Sequence, residues 1–142
     1  AKRLPMRVPV FLLNMLLVFS FVIVSANCKG SQVKQHDGPH IVFENTEFDL
    51  GIIPQNGEFD FSFEFSNDGT DSLEILSTKV SCGCTIIEEG ARILQPGESS
   101  MIKGTFYSRQ YKGLLVRTIA VNTNDPENER TVLYIKAIIE QQ

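Results

Sequence analysis

The chain has 142 residues, 42% of them hydrophobic and 21% charged, with ten Phe and no Trp. That is one domain with a real core, and the composition excludes wholesale disorder. Lys2, Arg3 and Arg7 are the basic residues of the N-terminal part, and from Cys28 onward ten basic side chains face seventeen acidic ones. Such an acidic domain has no electrostatic footprint for nucleic acid and is repelled by anionic lipid surfaces.

In chain order, residues 8–24 (VPVFLLNMLLVFSFVIV) form an apolar run behind Lys2, Arg3 and Arg7 and ahead of Ser25 and Ala26. A positive region, an apolar region and then small residues make a secretion signal. Ser25-Ala26-Asn27-Cys28 resembles a lipobox, which implies a diacylated thiol on Cys28. Asn27 and Val24 depart from the commonest lipobox residues and match the looser form of Bacteroidetes-type bacteria. Residues 1–28 are therefore expected to carry the chain to the envelope and tie it to the membrane through a lipid. A retained signal anchor is the alternative, since the run approaches the roughly 20 residues of a spanning helix.

Residues 29–39 (KGSQVKQHDGP) are polar, with two Gly and a Pro, and read as a flexible tether. His36 and His40 stand four apart, a metal-binding spacing on a helix, but Gly38 and Pro39 oppose a helix. They read as solvated linker histidines, and no metal or cofactor is expected.

Residues 40–142 carry the domain. The strongest pattern is GEFDFSFEFSN at 57–67, where Phe59, Phe61, Phe63 and Phe65 alternate with Asp60, Ser62, Glu64 and Ser66. Period two predicts a strand with one buried face, so these four rings are expected in the core. Further strands are predicted at 41–43, 47–53, 73–81, 84–87, 91–94, 101–107, 114–122 and 131–139, with turns at 67–70 and 95–98 and a hairpin connection through TNDPENE. Short β-branched and aromatic strands with turns every eight to twelve residues predict an all-β, Ig-like sandwich of about seven strands. A small barrel is the architectural alternative.

The motifs in order are Phe48-Asp49-Leu50-Gly51, Phe63 through Gly69 (FEFSNDG), Leu73-Glu74-Ile75, Ser81-Cys82-Gly83-Cys84-Thr85, Leu94-Gln95-Pro96-Gly97-Glu98 and Val121 through Pro126 (VNTNDP). Over residues 41–139 the chain resembles the bacterial family known as domain of unknown function 1573, common in Bacteroidetes envelopes. The resemblance implies a seven-stranded sandwich related to Ig-like modules of cilia-associated and sperm-protein type, and an envelope location. It implies no catalytic residues.

With Cys28 lipidated, Cys82 and Cys84 are the remaining thiols. Alternate strand residues lie about 6.6–6.8 Å apart at Cα, the long limit for a disulfide, and Gly83 permits a kink that shortens the distance. Three readings stay open for the pair: a structural turn, a thiol–disulfide site, or a Cu(I) site assisted by Met101. No Lys or His adjoins the pair in sequence to lower a thiol pKa. NTNDPENE (122–129) is rich in oxygen ligands but matches no EF-hand spacing, and reads as a solvated turn. Glu88 and Glu89 point to opposite faces of a strand and make a poor acid/base pair. SRQYKG, with Tyr107, Arg109 and Tyr111 in or beside it, offers an exposed, ligand-contacting loop, but reads first as an ordinary connection. No nucleophile motif surrounds any Ser. The expected role is a non-catalytic envelope module that contacts an unidentified protein partner or a surface structure.

Overall fold

The computed structural model describes residues 36–141, and the signal segment, Cys28 and the first part of the tether lie outside them. The described residues are all β, with no helix long and apolar enough to cross a membrane. Nine strands form: β1 (Ile41–Phe43), β2 (Glu47–Pro54), β3 (Glu58–Asn67), β4 (Leu73–Val80), β5 (Thr85–Glu89), β6 (Ile93–Leu94), β7 (Ser99–Tyr107), β8 (Gly113–Thr123) and β9 (Arg130–Glu140). Two sheets, ordered β1-β3-β7-β5 and β2-β9-β8-β4-β6, make the sandwich. The excess over seven strands comes from β1 and β6, which are three and two residues long.

Every pairing is antiparallel except β2 with β9. The hairpin predicted through TNDPENE is present, closing with Asn122 opposite Arg130. The parallel β2–β9 pair was not visible in the alternation pattern, because pleat periodicity is the same in both directions.

Alternation in β3 buries Phe61, Phe63 and Phe65 against Leu133, Ile135, Ala137 and Ile139 of β9 and Ile119 and Val121 of β8, all within one core cluster. Phe48 of β2 adds a ring at 6.2 Å from Phe63, edge to face. Phe59 differs from its three neighbours. It is only half buried, because it lies at the start of the strand, opposite Phe106 and beside the Asn56–Gly57 turn. Phe61 faces Gly104 across the ladder, and a Cβ at Gly104 would meet the ring at 2.5 Å. The missing side chain is thus the space the ring occupies.

Strand directions divide the loops between two ends. At the near end, where the chain comes into β1, lie residues 36–40, 67–72, 94–98 and 123–129. At the far end lie residues 54–58, 81–84 and 107–113. The near end corrects the expectation of a free linker up to residue 39. His36 bridges to Gly69, its N–H donates to the Asp68 carbonyl at 3.2 Å, and Thr70 donates to the carbonyls of His36 and Gly38 at 3.0 and 2.8 Å. The approach depends on Gly69, where a Cβ would sit 2.0 Å from the Gly38 oxygen. Composition pointed to a tether because the partner strand end is about thirty residues away in sequence and leaves no local trace.

Phe63→Ala is expected to cost about 3–5 kcal/mol in urea unfolding, the usual range for a buried Phe. Phe59→Ala is expected to cost clearly less. Equal losses at the two positions would contradict the burial difference between them.

Candidate functional site

The far end is built around the turn between β4 and β5. Cys82 and Cys84 are joined by a disulfide with a Cα separation of 5.3 Å, shorter than an extended strand gives. Ser81 ends the β4 side by donating to the Thr118 carbonyl at 2.9 Å, and Cys84 begins the β5 side by accepting from Tyr107 N–H at 2.9 Å. The chain must reverse between these two anchors in two residues, and exposed Gly83 sits at the apex. Cys84 is fully buried in the core, whereas Cys82 is half buried, with the Thr85 hydroxyl 3.8 Å from its sulfur. The Cys84 N–H points at Cys82 Sγ, at 3.3 Å.

Sequence adjacency had offered this pair no basic neighbour, but the fold supplies one. Arg109 reaches over from the β7–β8 loop and donates to the Gly83 carbonyl at 3.1 Å. Its backbone is in the left-handed region at φ 42°, and Asn56, also left-handed at φ 57°, donates to the Arg109 carbonyl at 2.7 Å. Ser108, fully buried, ties the same loop down by donating to the Pro54 carbonyl at 2.8 Å and accepting from Gly57 N–H at 2.8 Å. The loop that reads from sequence as an ordinary connection is therefore fixed in place. It borders a shallow cavity of about 640 Å³ lined by Asn56, Tyr107, Arg109, Gln110 and Tyr111. The Arg117 guanidinium lies over the Tyr111 ring at 5.0 Å.

The disulfide limits the chemistry at the pair. Both thiols are consumed, so a two-thiolate Cu(I) site does not exist in this state. Met101 lies six residues back along β7 from Tyr107, about 20 Å at strand rise, and does not belong to this end of the sandwich. Glu88 and Glu89 stay apart as expected, Glu88 opposite Lys103 and Glu89 paired with Arg92 at 3.3 Å.

The near end holds the feature that sequence reasoning misread. The turn is largely exposed, as expected, but Asp125 within it is wholly buried. Its carboxylate accepts from the backbone N–H of Ile41 at 2.9 Å, Glu127 at 2.8 Å and Asn128 at 3.1 Å, and from the Asn128 side-chain amide at 3.1 Å. His40 Nδ1 lies 3.2 Å away on the same carboxylate. Two oxygens offer about four lone pairs, so nothing remains for Ca²⁺. Burial alone raises the pKa of this group, but the hydrogen bond from Ile41 and those from Asn128 and Glu127 outweigh it and hold the carboxyl below its usual value.

A second buried polar residue, Asn67, works beside it. Asn67 Oδ1 accepts from Gly69 N–H at 3.0 Å, and its amide donates to the Asp71 and Leu94 carbonyls at 2.8 and 3.0 Å. Asn124 closes the same end, accepting from Glu74 N–H at 2.8 Å and donating to the Ser72 carbonyl at 3.0 Å. The partners lie 27 to 84 positions away for the longest of these bonds, which is why no local signal marks Asn67 or Asp125 as buried. Four motifs that are separate in sequence, FSNDG, LEI, LQPGE and NTNDP, meet here as one hydrogen-bonded knot.

With this arrangement in view, the relationships of the chain are informative. The family described as "Protein of unknown function (DUF1573)" matches residues 41–139. The chain belongs to the DUF1573 family. No curated protein matches it. Among solved structures, this DUF1573 domain is similar to a protein of unknown function from Porphyromonas gingivalis W83, with a TM-score of 0.63 and 16% identity over 73% of this chain and 48% of that one. It is also similar to the VesB protease of Vibrio cholerae, with a TM-score of 0.60 and 17% identity over 69% of this chain and 31% of that one. A PapD-like domain of human CEP192 is similar at a TM-score of 0.53 and 10% identity, covering 72% of this chain and 86% of that one. The chain thus spans about half of the Porphyromonas protein and a third of the protease, and at these identities the likeness is one of fold.

Because the Asp125 carboxyl is held low in the folded state, its contribution to stability is fully present above the unfolded value of about 3.9 and is lost as pH falls through the lower folded value. Asp125→Asn is expected to remove on the order of 1–3 kcal/mol at pH 7, since donors lose a charged acceptor. It is also expected to flatten the acid limb of a stability–pH curve below about pH 4. An unchanged acid limb in the variant would contradict the assignment.

Proposed function

We propose that this DUF1573 chain is a non-catalytic module, anchored in the bacterial envelope through its N-terminal segment, that docks a protein partner on the far end of its five-stranded sheet. The observation that carries the reading is an apolar row on the outer face of that sheet. Ile52, Ile138 and Leu114 are in register across β2, β9 and β8, and Val116 stands two residues along from Leu114 on the same face. Leu114 is 75% exposed, Ile52 66%, Ile138 45% and Val116 42%. Single exposed apolar residues need no explanation, whereas four neighbouring positions on one sheet face mark an interaction surface. The occupant is a protein and not a membrane, because the acidic balance beyond Cys28 repels anionic lipid.

The same end carries the Arg109 loop and the cavity beside it, which give the apolar row a polar border. Sandwich modules commonly bind through the loops of one end. A thiol–disulfide function has weaker support here. Cys84 is buried, so exchange has only the Cys82 sulfur to attack, and the Arg109 guanidinium is engaged with the Gly83 carbonyl.

A photo-crosslinking residue placed at Leu114 in native cells is expected to yield one heteromeric adduct, and the same residue at Ser62, on the outer face of the other sheet, none. Equal adducts from both sites, or none from either, would remove the docking reading. An adduct of twice the chain mass would replace the partner by a second copy.

The lipid anchor is tested separately. Cys28→Ala is expected to abolish palmitate labelling and to change gel mobility. If both stay as in the unaltered chain, the apolar run acts as an ordinary signal or a signal anchor instead.

A further inference from the structure

The near end holds a group of side chains that the contact reading does not use. His36 and His40 are stacked face to face, with ring centroids 3.7 Å apart and planes within 6°. Glu127, from the β8–β9 connection, brings a carboxylate oxygen to 3.5 Å from His36 Nδ1. One ligand atom from each of His36, His40 and Glu127 lies within 4.8 Å of the others. Two ligands on one tetrahedral Zn²⁺ are separated by about 3.3 Å, given bonds of about 2.0–2.1 Å. An imidazole binds a metal in the plane of its ring, so one ion requires the stack to open: half-buried His36 and exposed Glu127 rotate toward His40, which stays beside Asp125.

Sequence spacing had suggested a metal only through a helix, which Gly38 and Pro39 forbid. The chain reaches the same proximity by another route. Gly38, at φ 90°, turns the segment back so that His36 and His40 both lean on the Asp68–Asp71 turn. The residue behind His40 gives the arrangement its chemistry. The buried Asp125 carboxylate lies 3.2 Å from His40 Nδ1; with a cation on Nε2, the ring carries its proton on Nδ1, facing that carboxylate. A carboxylate behind a histidine in this way orients the ring, as in carboxylate–histidine–zinc triads.

We propose that His36, His40 and Glu127 bind a divalent cation of the zinc type, with Asp125 as the positioning residue behind His40. Two imidazoles, a carboxylate and an open fourth position make a set that Zn²⁺ accepts. The bound ion joins residues 36–40, which lead into β1, to the β8–β9 connection. It thereby clips the start of the domain to the loop farthest from it in sequence. The site is independent of the far-end docking surface.

The test uses the full chain with Cys28 blocked by iodoacetamide and the Cys82–Cys84 disulfide intact. Zn²⁺ alone is the probe. The expected result is uptake of one ion per chain against a chromophoric chelator, with a rise in Tm. His36→Ala and Glu127→Ala should each weaken uptake by about tenfold or more and abolish the rise, with the metal-free Tm little changed. The sequence contains two histidines only, so ring-proton NMR of the unaltered chain gives an independent reading. Zn²⁺ must move the signals of both rings. No uptake at micromolar Zn²⁺, ring signals that stay in place, or either variant binding as the unaltered chain does would overturn the proposal.

Discussion

The near end of the sandwich depends on one buried carboxylate. Asp125 takes hydrogen bonds from the start of β1 and from its own loop, and the polarity of the end is balanced only because it is charged and saturated. A buried ion of this kind is tolerable when its lone pairs are filled, and costly when any is left open. The Ile41 N–H is the bond that joins the first strand to the last hairpin, 84 residues apart. Asn67 performs the neutral version of the same task for the turns before β4 and β7.

Around this knot the core is simple. Three Phe from β3 face a column of aliphatic residues from β8 and β9, and the sheets meet through ordinary interdigitation. The far end has a different character. Its loops are held by left-handed residues, a disulfide and a short set of backbone anchors, and it leaves apolar side chains facing outward. The molecule therefore closes one end with a saturated polar knot and fastens the other with a disulfide and left-handed backbone turns.

How much of this was legible depended on the range of the signal. The period-two run at 57–67 placed β3, and turn residues such as Asn67-Asp68-Gly69 placed its end, because both effects act over a few residues. The same pattern placed Phe59 with its three neighbours, since alternation reports the face and not the distance from the strand end. Asp125 could not be read as buried, because its first hydrogen-bond partner is contributed by Ile41. The Gly83–Arg109 contact and the His36–His40 stack escaped for a related reason. Spacing rules assume a regular element, and both were brought about by turns with positive φ at Arg109 and Gly38.

The disulfide between Cys82 and Cys84 encloses a single residue. A cross-link lowers the entropy of the unfolded chain more as its loop grows, so this one contributes little in that way. Its effect falls instead on the native state. The bond holds the two Cα atoms 5.3 Å apart, closer than an extended strand sets alternate residues, and so it fastens the reversal from β4 into β5, which belong to different sheets. The crossing from one layer of the sandwich to the other is, at this corner, stitched by a covalent bond as well as by the packing of Cys84.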